Sequence, residues 1–215
     1  MADNLHIYGF RPYRAKIGAF TSPVRMTVAT AQDDVDDSAN SVNIWPGDPL
    51  KTMATGGVKV ALTTEEVDYI CCGIYPYYDA STGIMKHGKY YPNATAWGTV
   101  EARRGWVACY RADAYIWEVD VDDKVTATTY AGYVAHINAN CAFVVPGDTT
   151  KVAADPYADI STVDPTDVDD SLRIVGISDT IHNRDFSGSY VKLLVEFNLT
   201  GLAGTPEASE LVAGI

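Results

Sequence analysis

The chain of 215 residues has no apolar run approaching the eighteen or so residues a membrane helix needs. Its opening, MADNLHIYGFRPYR, lacks the charged-then-apolar order of a secretory signal. No membrane partner is expected, and the chain is expected to be made and kept in a cytosol, at least at first. Cations are scarce: 16 Lys and Arg stand against 28 Asp and Glu, for a net charge of −12. A surface of that sign repels phosphate, which sets nucleic acid aside as the main partner. No C-x-x-C pair occurs among Cys71, Cys72, Cys109 and Cys141, so neither structural zinc nor thioredoxin-like chemistry is suggested. The four read as free thiols serving as small buried hydrophobes.

Catalytic signatures are missing too. The chain holds no G-x-S-x-G and no H-E-x-x-H. Its glycine pairs are not followed by Lys-Ser/Thr at the offset of a phosphate loop. Cys109, His136 and Asp120 are the residue types of a cysteine nucleophile set. Cys109 nevertheless falls mid-strand in WVACYRAD, without the sharp turn or helix start that activates a thiol. DVDD occurs three times, at Asp34–Asp37, Asp120–Asp123 and Asp167–Asp170, and none supplies the glycine and distal glutamate of a calcium loop. His6, His87, His136 and His182 are too far apart to share a face. No catalytic residue, metal or cofactor is assigned.

What is present is β-pattern. VKVAL, VDYICCGIYPYYD, ACYRADAYIWEV, SLRIVGISD and SYVKLLVEFNLTGL are rich in β-formers and alternate faces. Turn signals such as Pro46-Gly47-Asp48 and Gly56-Gly57 separate them. Strands spaced roughly 8–15 residues apart argue an all-β fold, a barrel or sandwich of jelly-roll or β-tulip type, with few helices. VTATTYAGYVAHINANCAFVV reads either as a short helix or as a strand pair. The proline-punctuated PGDTTKVAADPYADISTVDPTDVDD reads as loop.

An arm and one body are expected. Residues 1–31 read as an extended N-terminal arm, basic on an otherwise acidic chain, and residues 32–215 as a single β-rich body. The arm carries Arg11, Arg14, Lys16 and Arg25, with Phe10 and Pro12 among them. It would lie on acidic groups of a neighbour, or else form a solvated first edge strand. The body carries an aromatic stretch from Gly88 to Val119. Within it Tyr115, Trp117 and Val119 share one face, expected inward, while Ile116 shares its face with Ala114 and Glu118. Tyr90, Tyr91, Trp97 and Trp106 are expected among the outward aromatics, which give rigid contact area at low entropy cost.

The order of segments resembles the capsid cement or decoration proteins of tailed bacteriophages. YGFRPYR comes first, then WPGDPLK with GGVKVA and ICCGIYPYY, then KYYPNATA and ADAYIWEV, and finally LRIVGISD with YVKLLVEFN. Together these span most of the chain. The resemblance implies a non-enzymatic virion structural protein on the capsid exterior, bound to the phage major capsid protein, which it stabilises, and self-associated as a trimer or dimer. It offers no catalytic residues. The capsid or self-association interface is then expected at Phe10, Arg11, Pro12, Arg14, Lys16, Tyr90, Tyr91, Trp97 and Trp106. A carbohydrate- or ligand-binding β module is the alternative, since exposed Trp and Tyr beside Asp loops suit sugar stacking.

Overall fold

The computed structural model describes residues 9–16, 22–29, 43–54, 56–63, 65–79, 83–92, 105–121, 129–145, 156–164, 171–179, 186 and 191–198. The class is all-β, built on two antiparallel sheets. The first sheet has six strands in the order β1 (Arg11–Ala15), β9 (Tyr115–Asp120), β13 (Lys192–Phe197), β12 (Leu172–Ile177), β10 (Asn140–Val144) and β11 (Tyr157–Asp164). The second has five: β2 (Val24–Thr27), β8 (Trp106–Arg111), β5 (Tyr69–Ile74), β3 (Pro49–Thr52) and β4 (Val58–Val60). A two-stranded hairpin, β6 (Tyr77–Asp79) with β7 (Ile84–Lys86), continues beyond the end of β5. Both sheets curl. A parallel bridge joins Val28 to Val58, bringing the two ends of the five-stranded order together, and another joins Val121 to Ala158.

One stretch of chain belongs to both sheets. β8 runs into a single 3-10 turn, Ala112–Ala114, and leaves it as β9. The turn is pinned from two sides: the Ala112 N–H donates to the Asp68 carbonyl at 3.0 Å, and the Trp117 indole N–H donates to the Ala112 carbonyl at 2.8 Å. Alternation then sorts the side chains. Tyr115, Trp117 and Val119 are fully buried, as their spacing predicts, in a core shared with Phe143, Leu172, Ile174, Leu193, Val195 and Phe197. Ala61 and Val67, from segments beside the second sheet, and Ile70 on β5 complete that core. A smaller cluster of Val28, Ile44, Leu50, Val58, Val60, Cys71, Tyr91, Val107 and Cys109 fills the curl of the second sheet.

The described residues 9–16 and 22–29 lie against the body rather than clear of it. Phe10 is 2% exposed, and its ring lies 4.9 Å from Phe197 and 6.2 Å from Phe143. β1 pairs with β9 and β2 with β8, so the segment follows the bent β8–β9 ribbon as its antiparallel edge. Its entry is fixed by a tight approach. Gly9 sits at φ +61°, and a Cβ there would fall 2.5 Å from the Gly47 carbonyl oxygen, so only glycine fits. Gly47 is itself a hub at φ 101°: its carbonyl accepts from Phe10 N–H and its N–H donates to Cys71.

One ambiguous stretch resolves, and one reading as loop is corrected. Tyr130–Ala135 is a helix, α1, capped by the Thr129 hydroxyl, which accepts from the Gly132 N–H at 3.2 Å. The turn after it runs to Asn138, whose φ of 72° is the left-handed region asparagine tolerates. The stretch read as loop around residue 160 instead holds β11, paired with β10 through Ala142↔Asp159, Phe143↔Ala158 and Val144↔Tyr157. Here the register is set by the neighbour and by the Thr162 hydroxyl, which accepts from the Ala142 N–H at 3.0 Å, rather than by β propensity.

Truncating Trp117 to Ala removes a fully buried ring and strands the Ala112 carbonyl. It is expected to cost about 3–5 kcal/mol and to lower the melting temperature by roughly 6–20 °C, read by calorimetry of the purified chain. A melting temperature unchanged by Trp117→Ala would mean that this face does not carry the core.

Candidate functional site

The cations of the N-terminal segment line one edge of the molecule. β1 is the edge strand of the six-stranded sheet and β2 that of the five-stranded one, and both flank the same ribbon. Arg11, Arg14 and Arg25 are exposed. Among the described residues no carboxylate pairs with any of the three. Lys16 differs: its ammonium lies 3.0 Å from Glu196, which also meets Arg173 at 3.7 Å. Pro12, and the irregular register between Pro12 and Arg14, interrupt the β1 ladder. Such charges, prolines and bulges keep an edge strand from pairing indiscriminately with another chain.

Arg25 is the best-positioned of the three. It stands opposite Ala108 on β8, so its side chain crosses the face that also carries Trp106. Its guanidinium carbon lies 3.8 Å from the centroid of the Trp106 ring and 5.2 Å from that of Tyr75. The three come together because Tyr75 follows β5 and its N–H donates to the Trp106 carbonyl at 3.2 Å. Gly73 and Ala108, paired in register, leave no bulk beside them. Both aromatics stay 38% exposed. The stacked cation is thereby held in place while its N–H groups remain available to an acceptor from outside.

More apolar surface follows in the chain: beyond Tyr75 the β6–β7 hairpin exposes Ile84 and Met85 at 56% and 62%. Trp, Tyr and Arg are the residue types that dominate protein–protein hot spots, and apolar surface around them excludes water on contact. The arrangement offers a planar cation that suits a carboxylate or a backbone carbonyl, beside two ring faces and a hairpin tip.

Several residues expected at the interface lie elsewhere. Phe10 is in the core. Tyr91 is 8% exposed, and its hydroxyl accepts from the Gly105 N–H at 3.1 Å inside the second sheet's cluster. Gly105 is glycine because a Cβ there would meet that ring at 2.0 Å. Tyr90 is half-buried, with its ring 4.4 Å from that of the buried Trp45. Trp97 lies outside the described residues. Arg11, Pro12, Arg14, Lys16 and Trp106 are on the surface. Tyr75 and Arg25 joined Trp106 without a local signal, because cross-strand register, not spacing along the chain, makes them neighbours.

The residue types of the cysteine nucleophile set are dispersed. Cys109 is buried in the second sheet, Asp120 ends β9 in the first, and His136 caps the C-terminus of α1. Burial pushes the Cys109 thiol up to about 12, the opposite of activation. Among the described residues no three His, Cys, Asp or Glu side chains gather as a metal site would require. No described helix is long and apolar enough to cross a membrane.

A separate ionic cluster braces the far edge of the five-stranded sheet. Glu65 takes Lys59 at 3.2 Å and Lys51 at 3.4 Å, and accepts the Leu62 N–H at 2.9 Å. Burial by itself raises the Glu65 carboxyl, but that N–H and the two lysines outweigh it and hold the carboxyl below its ordinary value. A carboxyl with a lowered folded-state value stabilises the fold above the unfolded value and loses that contribution as pH falls through the folded one. The stability of Glu65→Gln is therefore expected to fall less steeply than wild type below about pH 4.5, in urea titrations at stepped pH. Identical slopes would remove Glu65 from the acid response.

Arg25→Ala and Trp106→Ala sit on the surface and are expected to shift stability by no more than about 1 kcal/mol each, again by urea titration. A loss of several kcal/mol from either would place the stack in the structural core. No protein-family model matches the chain, and neither any curated protein nor any solved structure is significantly similar to it.

Proposed function

We propose that this chain is a non-enzymatic virion structural protein of a tailed bacteriophage, a cement subunit that binds the outer surface of the shell formed by the major capsid protein and stabilises it. The observation that carries the reading is the Arg25 guanidinium stacked at 3.8 Å on an exposed Trp106 beside Tyr75, on an acidic chain where Arg11 and Arg14 also lack a carboxylate partner among the described residues. A side-chain set of this kind is suited to gripping another protein surface and holds no machinery for turnover. The resemblance in segment order to capsid decoration proteins supplies the identity of the surface.

The division of labour follows from the chemistry. The arginines along β1 and β2 meet carboxylates or carbonyl groups on the shell. Trp106, Tyr75 and the hairpin tip bury apolar area against it. Rim charges act mainly on the rate of encounter, while buried aromatics hold the complex. Self-association of the subunit as a dimer or trimer belongs to the same proposal and uses whatever edge the shell leaves uncovered.

The test is co-sedimentation of the purified chain with shells of the parent phage that lack it. Wild type is expected to bind and to stay bound in 1 M salt, where the Debye length is about 3 Å. Trp106→Ala and Arg25→Glu are each expected to weaken binding roughly thirtyfold or more, the equivalent of about 2 kcal/mol, with melting unchanged. Absence of the protein from purified particles, or full release by salt alone, would overturn the aromatic-contact reading. Quenching of tryptophan fluorescence by oligosaccharides that is lost in Trp106→Ala would favour a carbohydrate-binding module instead.

A further inference from the structure

Cys71 on β5 and Cys109 on β8 are direct partners across antiparallel strands. Both are buried, at 1% and 0% exposure, within the cluster that fills the curl of the second sheet. The backbone decides how close they come. The Cys71 N–H donates to Asp48 at 2.9 Å and its carbonyl accepts from Gly47 at 2.7 Å, so both groups point toward β3 and away from β8. Toward β8, Cys71 and Cys109 therefore form the non-hydrogen-bonded kind of antiparallel pair. In such pairs the Cα atoms stand about 4.5 Å apart, within the range of about 4.4–6.8 Å that disulfides span. The irregular register between Cys71 and Gly73 places an extra residue here, which adds local twist and slack. Among the described residues the Cys71 thiol makes one long contact, of 3.7 Å to the Gly73 carbonyl.

We propose that Cys71 and Cys109 are a covalent modification site: a cross-strand disulfide that closes when the folded protein meets a small-molecule disulfide such as oxidised glutathione. One cysteine thiolate attacks a sulfur of the oxidant, forming a mixed disulfide and releasing the first small thiol. The second cysteine thiolate then attacks the protein-bound sulfur of that mixed disulfide and releases the second small thiol. Two protein S–H bonds and one oxidant S–S bond are lost. One protein S–S bond forms, and the two protons leave on the two released thiols. The oxidant's sulfur pair is reduced and the two cysteines are oxidised.

Burial makes this reaction slow in the closed fold, because it disfavours both thiolates. Reaction waits on opening of the edge strand β2, where Val24 covers Cys109 in register. Once closed, the bond ties β5 to β8 beneath the Trp106 surface, so it locks the scaffold of the proposed contact face without touching that face.

The experiment incubates the full chain with oxidised glutathione at 25 °C and again just below its melting temperature, where opening is frequent. Alkylation in denaturant, intact mass and a non-reducing peptide map follow. The expected result is two of the four cysteines protected, a mass lower by two hydrogens, a single linked peptide pair joining Cys71 to Cys109, and a raised melting temperature that reductant reverses. Cys72→Ala and Cys141→Ala are expected to give the same map. Four alkylated cysteines after both incubations would overturn the proposal. So would a persistent glutathione adduct, a link through Cys72 or Cys141, or a disulfide between two chains.

Discussion

The bend between β8 and β9 organises the molecule, and the hydrogen bond from the Trp117 indole to the Ala112 carbonyl holds it. A single unbroken strand from Trp106 to Asp120 would have run straight through one sheet. The 3-10 turn at Ala112–Ala114 breaks it into two, and the indole, arriving from the far side of the turn, satisfies a carbonyl that the turn would otherwise leave buried without a partner. Trp117 is fully buried while it does so, and thus fills the larger core and fixes the chain path together. Everything lateral follows from this ribbon. β5 and β13 pair along its two halves, and the N-terminal segment runs down its other edge.

That lateral placement gives the surface its character. An arginine on a free arm would spend its time in water and lose side-chain entropy on any contact. Tied to β8, Arg25 is already laid on Trp106, so much of the ordering cost of a contact is met by the fold itself. The acidic majority of the chain makes the edge distinctive: Glu65, Asp113 and Glu196 engage cations of their own, while among the described residues no carboxylate pairs with the edge arginines. The surface proposed to grip a partner is thus also one whose charges the described carboxylates do not neutralise.

Local alternation was a good guide wherever a strand buries one face. Tyr115, Trp117 and Val119 were legible as an inward row, and Leu193, Val195 and Phe197 formed the apolar face of the last strand for the same reason. The turn at Pro46-Gly47-Asp48 was legible from its residue types, and the Asp48 carboxylate indeed accepts the Trp45 N–H at 2.7 Å. β11 was not legible, because its apolar residues Tyr157, Ala158, Ile160 and Val163 fall on both faces of the run and Pro156 and Pro165 bracket it as turn signals. Its strand form comes from pairing with β10. Tyr90 and Tyr91 looked alike, yet one stacks on Trp45 and the other is sealed against Gly105.

By itself, then, the order of residues determined an all-β class, the inward row of β9 and the main turns, because these rest on period-two alternation and on glycine and proline backbone limits that act over a few residues. It also determined that the N-terminal segment is basic on an acidic chain. Whether that segment is an arm or an edge was decided only in three dimensions. Phe10 needs Phe143 and Phe197 to bury against, Gly9 needs the Gly47 carbonyl to pass, and Arg25 needs Trp106 across the ladder. These partners lie tens to nearly two hundred residues away in the chain. Contacts of that kind are fixed by strand register and core closure, and no local pattern encodes them.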